Sequence, residues 1–368
     1  MFFMKSLTVL GIAAYFVSSI SLAATNSTTN LETNTLYQAN CASCHGAARL
    51  GGMGPALFPE NLSRLRKKKA AAVIQHGRTA TQMPAFEKTL STAQIDLLVD
   101  YIYQPPAKKP TWKLADIKQT HIIHFEQDTL SNKPSFSADL MNLFIVVELG
   151  DHHATVLNGD TFKPIHRFKT RFALHGGPKY SPDGRFVYFA SRDGWISKFD
   201  IYNLKTVAEI RAGINTRNLA VSSDGKTIMV ANYLPHTLVA LNTDDLSPIK
   251  IIPVDSRISA VYNAPPRNSF IAALKDIKEV WEIPYNNGTP LSVRKISLDD
   301  YLDDFFFDTQ YKHLIGASRD QKMGQVIDLD QGKKIADIDL YGMPHLGSGI
   351  TWTYQGREVM ATPHLKEG

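Results

Sequence analysis

Ser181-Pro182-Asp183-Gly184-Arg185-Phe186-Val187-Tyr188-Phe189-Ala190 couples a turn signal to an aromatic and β-branched run. The same construction returns at Ser222-Ser223-Asp224-Gly225-Lys226-Thr227-Ile228-Met229-Val230-Ala231. Asp-Gly suits a tight turn because glycine enters the left-handed region without a Cβ clash, and the run behind it has strand composition. Similar apolar runs fall at 143–147, 270–274, 313–317 and 358–361. A recurrence roughly every 40 to 45 residues, with room for several strands per unit, is the pattern of a β-propeller blade. From residue 120 onward the chain holds about five to six such periods. Its last residues, Thr362-Pro363-His364-Leu365-Lys366-Glu367-Gly368, read as an interrupted loop, so the expected propeller is an incomplete one.

Upstream the grammar changes. Cys41-Ala42-Ser43-Cys44-His45 is the C-x-x-C-H signature of covalent c-type haem attachment, in which two thiols form thioethers and the histidine binds iron. These are the only two cysteines in the chain, which excludes a disulfide framework alongside the motif and any four-cysteine zinc or iron–sulfur site. Leu36, Tyr37, Cys41 and Cys44 have helical spacing. Residues 92–103 (TAQIDLLVDYIY) predict an amphipathic helix with Ile95, Leu98, Val99 and Ile102 on one face and Ser91 as N-cap. Between them, Thr81-Gln82-Met83-Pro84 offers Met83 as the sixth iron ligand, with Met53 as the competing thioether. A small all-α class I cytochrome c domain is expected over residues 24–104.

Lys5, the apolar run 7–20 and Ser21-Leu22-Ala23 read as a signal peptide over 1–23. The run is shorter than the ~20 residues that span a bilayer, so no stable membrane insertion is expected. Export and c-haem assembly agree on a periplasmic location. The formal charge of +5 is partly local, in Arg64, Arg66, Lys67, Lys68 and Lys69; for an exported haem protein this reads as a solvated basic face, not as a nucleic-acid surface. Pro105-Pro106-Ala107-Lys108-Lys109-Pro110 opens a linker, taken as 105–119, and the propeller domain follows over 120–368.

A c-haem domain joined to such a propeller resembles the cytochrome cd1 family, whose eight-bladed propeller holds haem d1 non-covalently. Thr170-Arg171-Phe172-Ala173-Leu174-His175, with Ser191-Arg192-Asp193-Gly194, resembles the segment that supplies the proximal d1 ligand, and His175 falls on that ligand. Glu209-Ile210-Arg211-Ala212-Gly213-Ile214 with Arg217, then Ala231-Asn232-Tyr233-Leu234-Pro235, continue the likeness, and Met343-Pro344-His345-Leu346-Gly347 resembles the distal-pocket segment. The resemblance implies cofactor contacts at Arg171, Arg192, Arg217 and Tyr233, and a distal or proton-handling role for His345. Arginine is the suitable cation, since its fork pairs with carboxylates two bonds at a time. Nitrite reductases of the family carry a second distal histidine, and its counterpart, Tyr301-Leu302-Asp303-Asp304-Phe305-Phe306, has none. The segments are closer to the family's dihydro-haem d1 dehydrogenase. That implies oxidation of dihydro-haem d1 to haem d1, propionate to acrylate, for denitrification, with electrons leaving through the single covalent haem c to a periplasmic acceptor. Cytochrome cd1 nitrite reductase is then an expected partner. A nitrite reductase and a non-enzymatic haem d1 carrier or electron-transfer protein are the alternatives.

Overall fold

The computed structural model describes residues 31–63, 65–79, 81–318, 323–340 and 344–364. The expected signal peptide, Arg64 and Met343 lie outside the described residues. The chain forms two compact units, Met1–Pro105 and Pro106–Gly368.

The first unit is helical. Helix α1 covers residues 31–40 and α2 is the single turn Ala42–His45. Helices α3 (Lys67–His76) and α4 (Thr92–Ile102) follow. Ser91 caps α4 as expected, with its side chain accepting from Gln94 N while the Gln94 side chain takes Ser91 N. This reciprocal box satisfies two N–H groups that a bare helix end leaves open. Ile95, Leu98, Val99 and Ile102 are all buried, in a core shared with Tyr37, Leu57, Ala70 and Ile74.

The second unit is built from antiparallel sheets in chain order. After β1 (Ile122–Ile123), the first sheet comprises β2 (Leu143–Glu148), β3 (His153–Asn158) and β4 (Pro164–Lys169). The second comprises β5 (Lys179–Tyr180), β6 (Phe186–Ala190), β7 (Trp195–Asp200) and β8 (Lys205–Arg211), with β1 added beside β8. The third comprises β9 (Asn215–Val221), β10 (Thr227–Leu234), β11 (Thr237–Asn242) and β12 (Pro248–Pro253). In the fourth, β13 (Ile258–Ala264) and β14 (Ser269–Leu274) precede β15 (Glu279–Asn286), which pairs with both β16 (Thr289–Pro290) and β17 (Arg294–Ser297). The fifth is β18 (Asp304–Phe307), β19 (His313–Ala317), β20 (Met323–Asp328) and β21 (Lys333–Asp339); the sixth is the hairpin β22 (Ile350–Tyr354) and β23 (Arg357–Ala361). Every apolar run read from the sequence is a strand of these sheets.

Packing explains why those runs are continuous and not alternating. In β6, Phe186, Tyr188 and Ala190 face the third sheet's Leu219, Val230 and Val239, while Val187 and Phe189 face Val156 of the first. Because successive side chains point to opposite faces, a strand buried on both must be apolar throughout. β10 and β14 divide their side chains between two neighbours in the same way. β2 does alternate, with Ile145 and Val147 inward and Phe144 and Val146 exposed. The turns before β6 and β10 are one motif. Ser181 Oγ accepts from Phe186 N and Ser222 Oγ from Thr227 N, both at 2.9 Å, and Gly184 and Gly225 have φ of 73° and 69°.

The expected linker 105–119 is shorter than the sequence indicated. Helix α5 (Leu114–Gln119) buries Ile117 completely against the second and third sheets, and Trp112 Nε1 donates to Arg211 O at 2.8 Å. A six-residue helix with one anchoring side chain carries too little periodicity to be recognised from sequence.

Candidate functional site

The first site surrounds the Cys41–His45 turn. His45 is 9% exposed, and burial lowers its pKa, so the imidazole is neutral and able to act as a ligand. Its Nδ1 lies 2.7 Å from Pro55 O, which fixes the tautomer with Nδ1–H donating and the Nε2 lone pair presented outward. A Cβ at Gly54 would collide with the same ring, so the Gly51-Gly52-Met53-Gly54-Pro55 loop lies flat against it. Burial, aided by Cys44, pushes the Cys41 thiol up to about 11. Met83 packs against the helical core, held by its own N–H on Thr81 Oγ1 and its carbonyl on Arg78 N, whereas Met53 is 67% exposed. Two thiols, a neutral oriented imidazole and a core-facing thioether are a donor set that fits haem c.

Sequence reasoning missed Arg49. It is 6% exposed, donates to Tyr101 O and Gln104 O, and lies over the rings of Phe58 and Tyr101, so it ties the loop after the attachment motif to α4.

The second site is formed at the inner edges of the sheets. The first strands β5, β9, β13 and β18 approach one another across neighbouring sheets. His175 lies just before β5, in a cleft of about 230 Å³ lined by Val147, Leu149, Leu174, Gly177 and Phe189. Its Nδ1 is 2.6 Å from Arg217 O, and Arg217 Nη1 lies against the ring, 2.7 Å from Nε2 and 3.1 Å from Nδ1. Gly176 (φ +86°) forms the lip, and a Cβ there would strike Asn218. Lys179 Nζ donates to Gly176 O at 3.1 Å; burial lowers its pKa, and the nearby Asp304 carboxylate opposes that shift. An oriented imidazole flanked by a guanidinium and an ammonium fits an iron macrocycle bearing carboxylates. Lys179 was not legible beforehand, because nothing in Pro178-Lys179-Tyr180 distinguishes it from a surface lysine.

The other expected contacts are placed differently. Arg171 binds Glu209 with two parallel bonds, Nε to Oε1 at 2.8 Å and Nη2 to Oε2 at 2.7 Å, and stacks 3.7 Å from the Trp195 ring centre. Burial pushes the Glu209 carboxyl up, but Arg171, His124 and Ser197 outweigh this and hold it below the ordinary range. The fork of Arg171 is thus occupied by an internal carboxylate of the second sheet. Arg192 donates its backbone N–H to Ala173 O beside the His175 segment. Tyr233, near the end of β10, has its ring centre 5.9 Å from the guanidinium carbon of Arg257. His345 donates its N–H to Pro363 O and caps the short turn Leu346–Ser348.

A haem-attachment turn in a helical unit, followed by a propeller with an oriented histidine in a cleft, is the build of a c-type cytochrome fused to a second domain. Residues 138–368 match the Cytochrome D1 heme domain, and residues 30–102 match Cytochrome C oxidase, cbb3-type, subunit III. The chain belongs to the cytochrome d1 heme domain family. It is 55% identical over 339 residues to the dihydro-heme d1 dehydrogenase of Pseudomonas aeruginosa, an alignment that covers 90% of this chain and 69% of that protein. A solved structure of dihydro-heme d1 dehydrogenase NirN in complex with DHE superposes with a TM-score of 0.87 at 56% identity, over 90% of this chain and 72% of that one. Cytochrome c55X of Stutzerimonas stutzeri is 33% identical over 26% of this chain and 85% of its own length.

Proposed function

We propose that this protein oxidises dihydro-haem d1 to haem d1. The observation that carries the reading is the hold of the Arg217 carbonyl on His175 Nδ1, which orients the imidazole near the Arg217 and Lys179 cations, in a chain so similar to a dihydro-heme d1 dehydrogenase. In the reaction two C–H bonds on adjacent propionate carbons break, a C=C bond forms, and two protons and two electrons leave. Haem c, held by Cys41, Cys44, His45 and Met83, supplies a one-electron acceptor. His175 binds the substrate iron through Nε2. Arg217 and Lys179 turn to the substrate carboxylates, with Arg192 and Tyr233 at the margin, and His345 handles a proton or the distal face. The place of action is the periplasm, with residues 1–23 as the export signal. A periplasmic electron carrier is the acceptor and cytochrome cd1 nitrite reductase the recipient of the product. Among the described residues, no helix is long and apolar enough to cross a membrane.

The test is an anaerobic incubation of dihydro-haem d1 with at least two equivalents of the protein carrying ferric haem c, since each haem c takes one of the two electrons. The expected result is reduction of haem c together with the absorption spectrum of haem d1, and little conversion of nitrite to nitric oxide. Binding without reduction would make the protein a carrier, and rapid nitrite turnover would make it a reductase.

A further inference from the structure

Asp304 is where three segments of the propeller meet. It opens β18 opposite Ala317. Its Oδ1 accepts from the Tyr262 hydroxyl of β13 at 2.9 Å and from Phe305 N at 3.0 Å. Its Oδ2 accepts from Gly347 N at 2.8 Å, two residues beyond His345. A Cβ at position 347 would run into both the Tyr262 hydroxyl and the Asp304 carboxylate, so the approach requires glycine. Next to it, Leu346 is fully buried with Phe306, Ala317 and Leu340. On the other side His345 N–H is held by Pro363 O, and Thr362 Oγ1 donates to His345 O. Burial, reinforced by Asp304, pushes the Tyr262 hydroxyl up, which keeps it a donor. Its ring is fixed edge-on to Phe305 at 5.0 Å.

We propose that Asp304 is a positioning residue whose carboxylate, braced by Tyr262, fixes the segment carrying His345 at the inner edge of the sheets. This rests on the reading above for what His345 does, but not for the hold itself.

Amide exchange at Gly347 tests the hold in the substrate-free protein. Asp304→Ala should speed it about tenfold, as loss of one hydrogen bond of ordinary net strength would. Tyr262→Phe, which keeps the ring packing, should give a smaller increase of the same sign. Haem d1 is then added and the spectral change produced by His345→Ala serves as reference. Asp304→Ala should reproduce that change, while His175→Ala should give a different one. Unchanged Gly347 exchange in both variants would overturn the proposal, and so would a wild-type haem d1 spectrum in Asp304→Ala where His345→Ala alters it. If wild-type protein fails to oxidise dihydro-haem d1 but the exchange result stands, the proposed reaction fails and the hold does not.

Discussion

The Arg217 backbone carbonyl lies 2.6 Å from His175 Nδ1, and its guanidinium Nη1 lies against the same ring, 2.7 Å from Nε2 and 3.1 Å from Nδ1. A carbonyl only accepts, so Nδ1 carries the proton and the lone pair is left on Nε2. The guanidinium is itself steadied by Nε donating to Ser259 O at 2.8 Å. Arg217 thus sets the tautomer of the ring through its carbonyl and keeps a cation against the imidazole.

Arg217→Met should weaken dihydro-haem d1 binding about tenfold, the scale of one charge-assisted hydrogen bond. The backbone carbonyl is unaffected, so His175 keeps its orientation. Absorbance titration measures the effect, and Arg217→Lys should recover only part of it because the fork is lost. Unaltered affinity in Arg217→Met would remove this residue from the binding site.

Met83→Ala should abolish the sulfur-to-iron charge-transfer band of ferric haem c and lower its reduction potential. Met53→Ala should leave both unchanged, since Met53 is exposed while Met83 packs on the helical core. The reverse result would exchange the two assignments. Redox titration of the two variants, with near-infrared absorption, decides between them.

What the sequence disclosed and what it withheld divide along a physical line. Strands such as Phe186–Ala190 announce themselves because both faces are buried and every residue is apolar. Helix α4 was legible from Ser91 to Ile102 because its cap and its stripe are local. His175 and Arg217 stood out only as residues; the bond between them spans 42 positions and depends on how β9 approaches the segment before β5. Arg171 shows the same limit. Its partner Glu209 is 38 residues away, so the sequence showed a cation without showing that its fork was filled.

Arg171→Ala should destabilise the second unit by about 3 kcal/mol, the cost of leaving a buried carboxylate without its partner. Urea denaturation of the variant measures it. Glu209→Gln with Arg171→Ala should recover part of the loss, because the orphaned charge is then gone. If Arg171→Ala leaves stability intact and weakens dihydro-haem d1 binding, the guanidinium faces the substrate after all.

Lys198 makes stability depend on pH. It is 2% exposed, its ammonium donates to Asp244 O at 2.8 Å and Gln127 Oε1 at 3.2 Å, and it lies 3.9 Å from the Phe186 ring centre. Burial lowers its pKa to about 8, against a partial opposing pull from Asp244 and Asp200. In the unfolded chain it titrates near the ordinary lysine value of about 10.4. Below pH 8 both states are charged, and the folded state bears the full cost of the buried ammonium. Between about 8 and 10.4 the unfolded state binds the extra proton, so the contribution of Lys198 to stability rises with pH. The whole rise is about 3 kcal/mol at most, from about 1.4 kcal/mol per pKa unit. Lys198→Met removes the titration and also loses two hydrogen bonds, so its absolute stability is not the readout. The difference between wild type and Lys198→Met, taken from urea denaturation at pH 7, 8, 9 and 10, should grow in favour of wild type across that interval. A difference that stays flat would mean that the ammonium keeps an ordinary pKa in the folded protein.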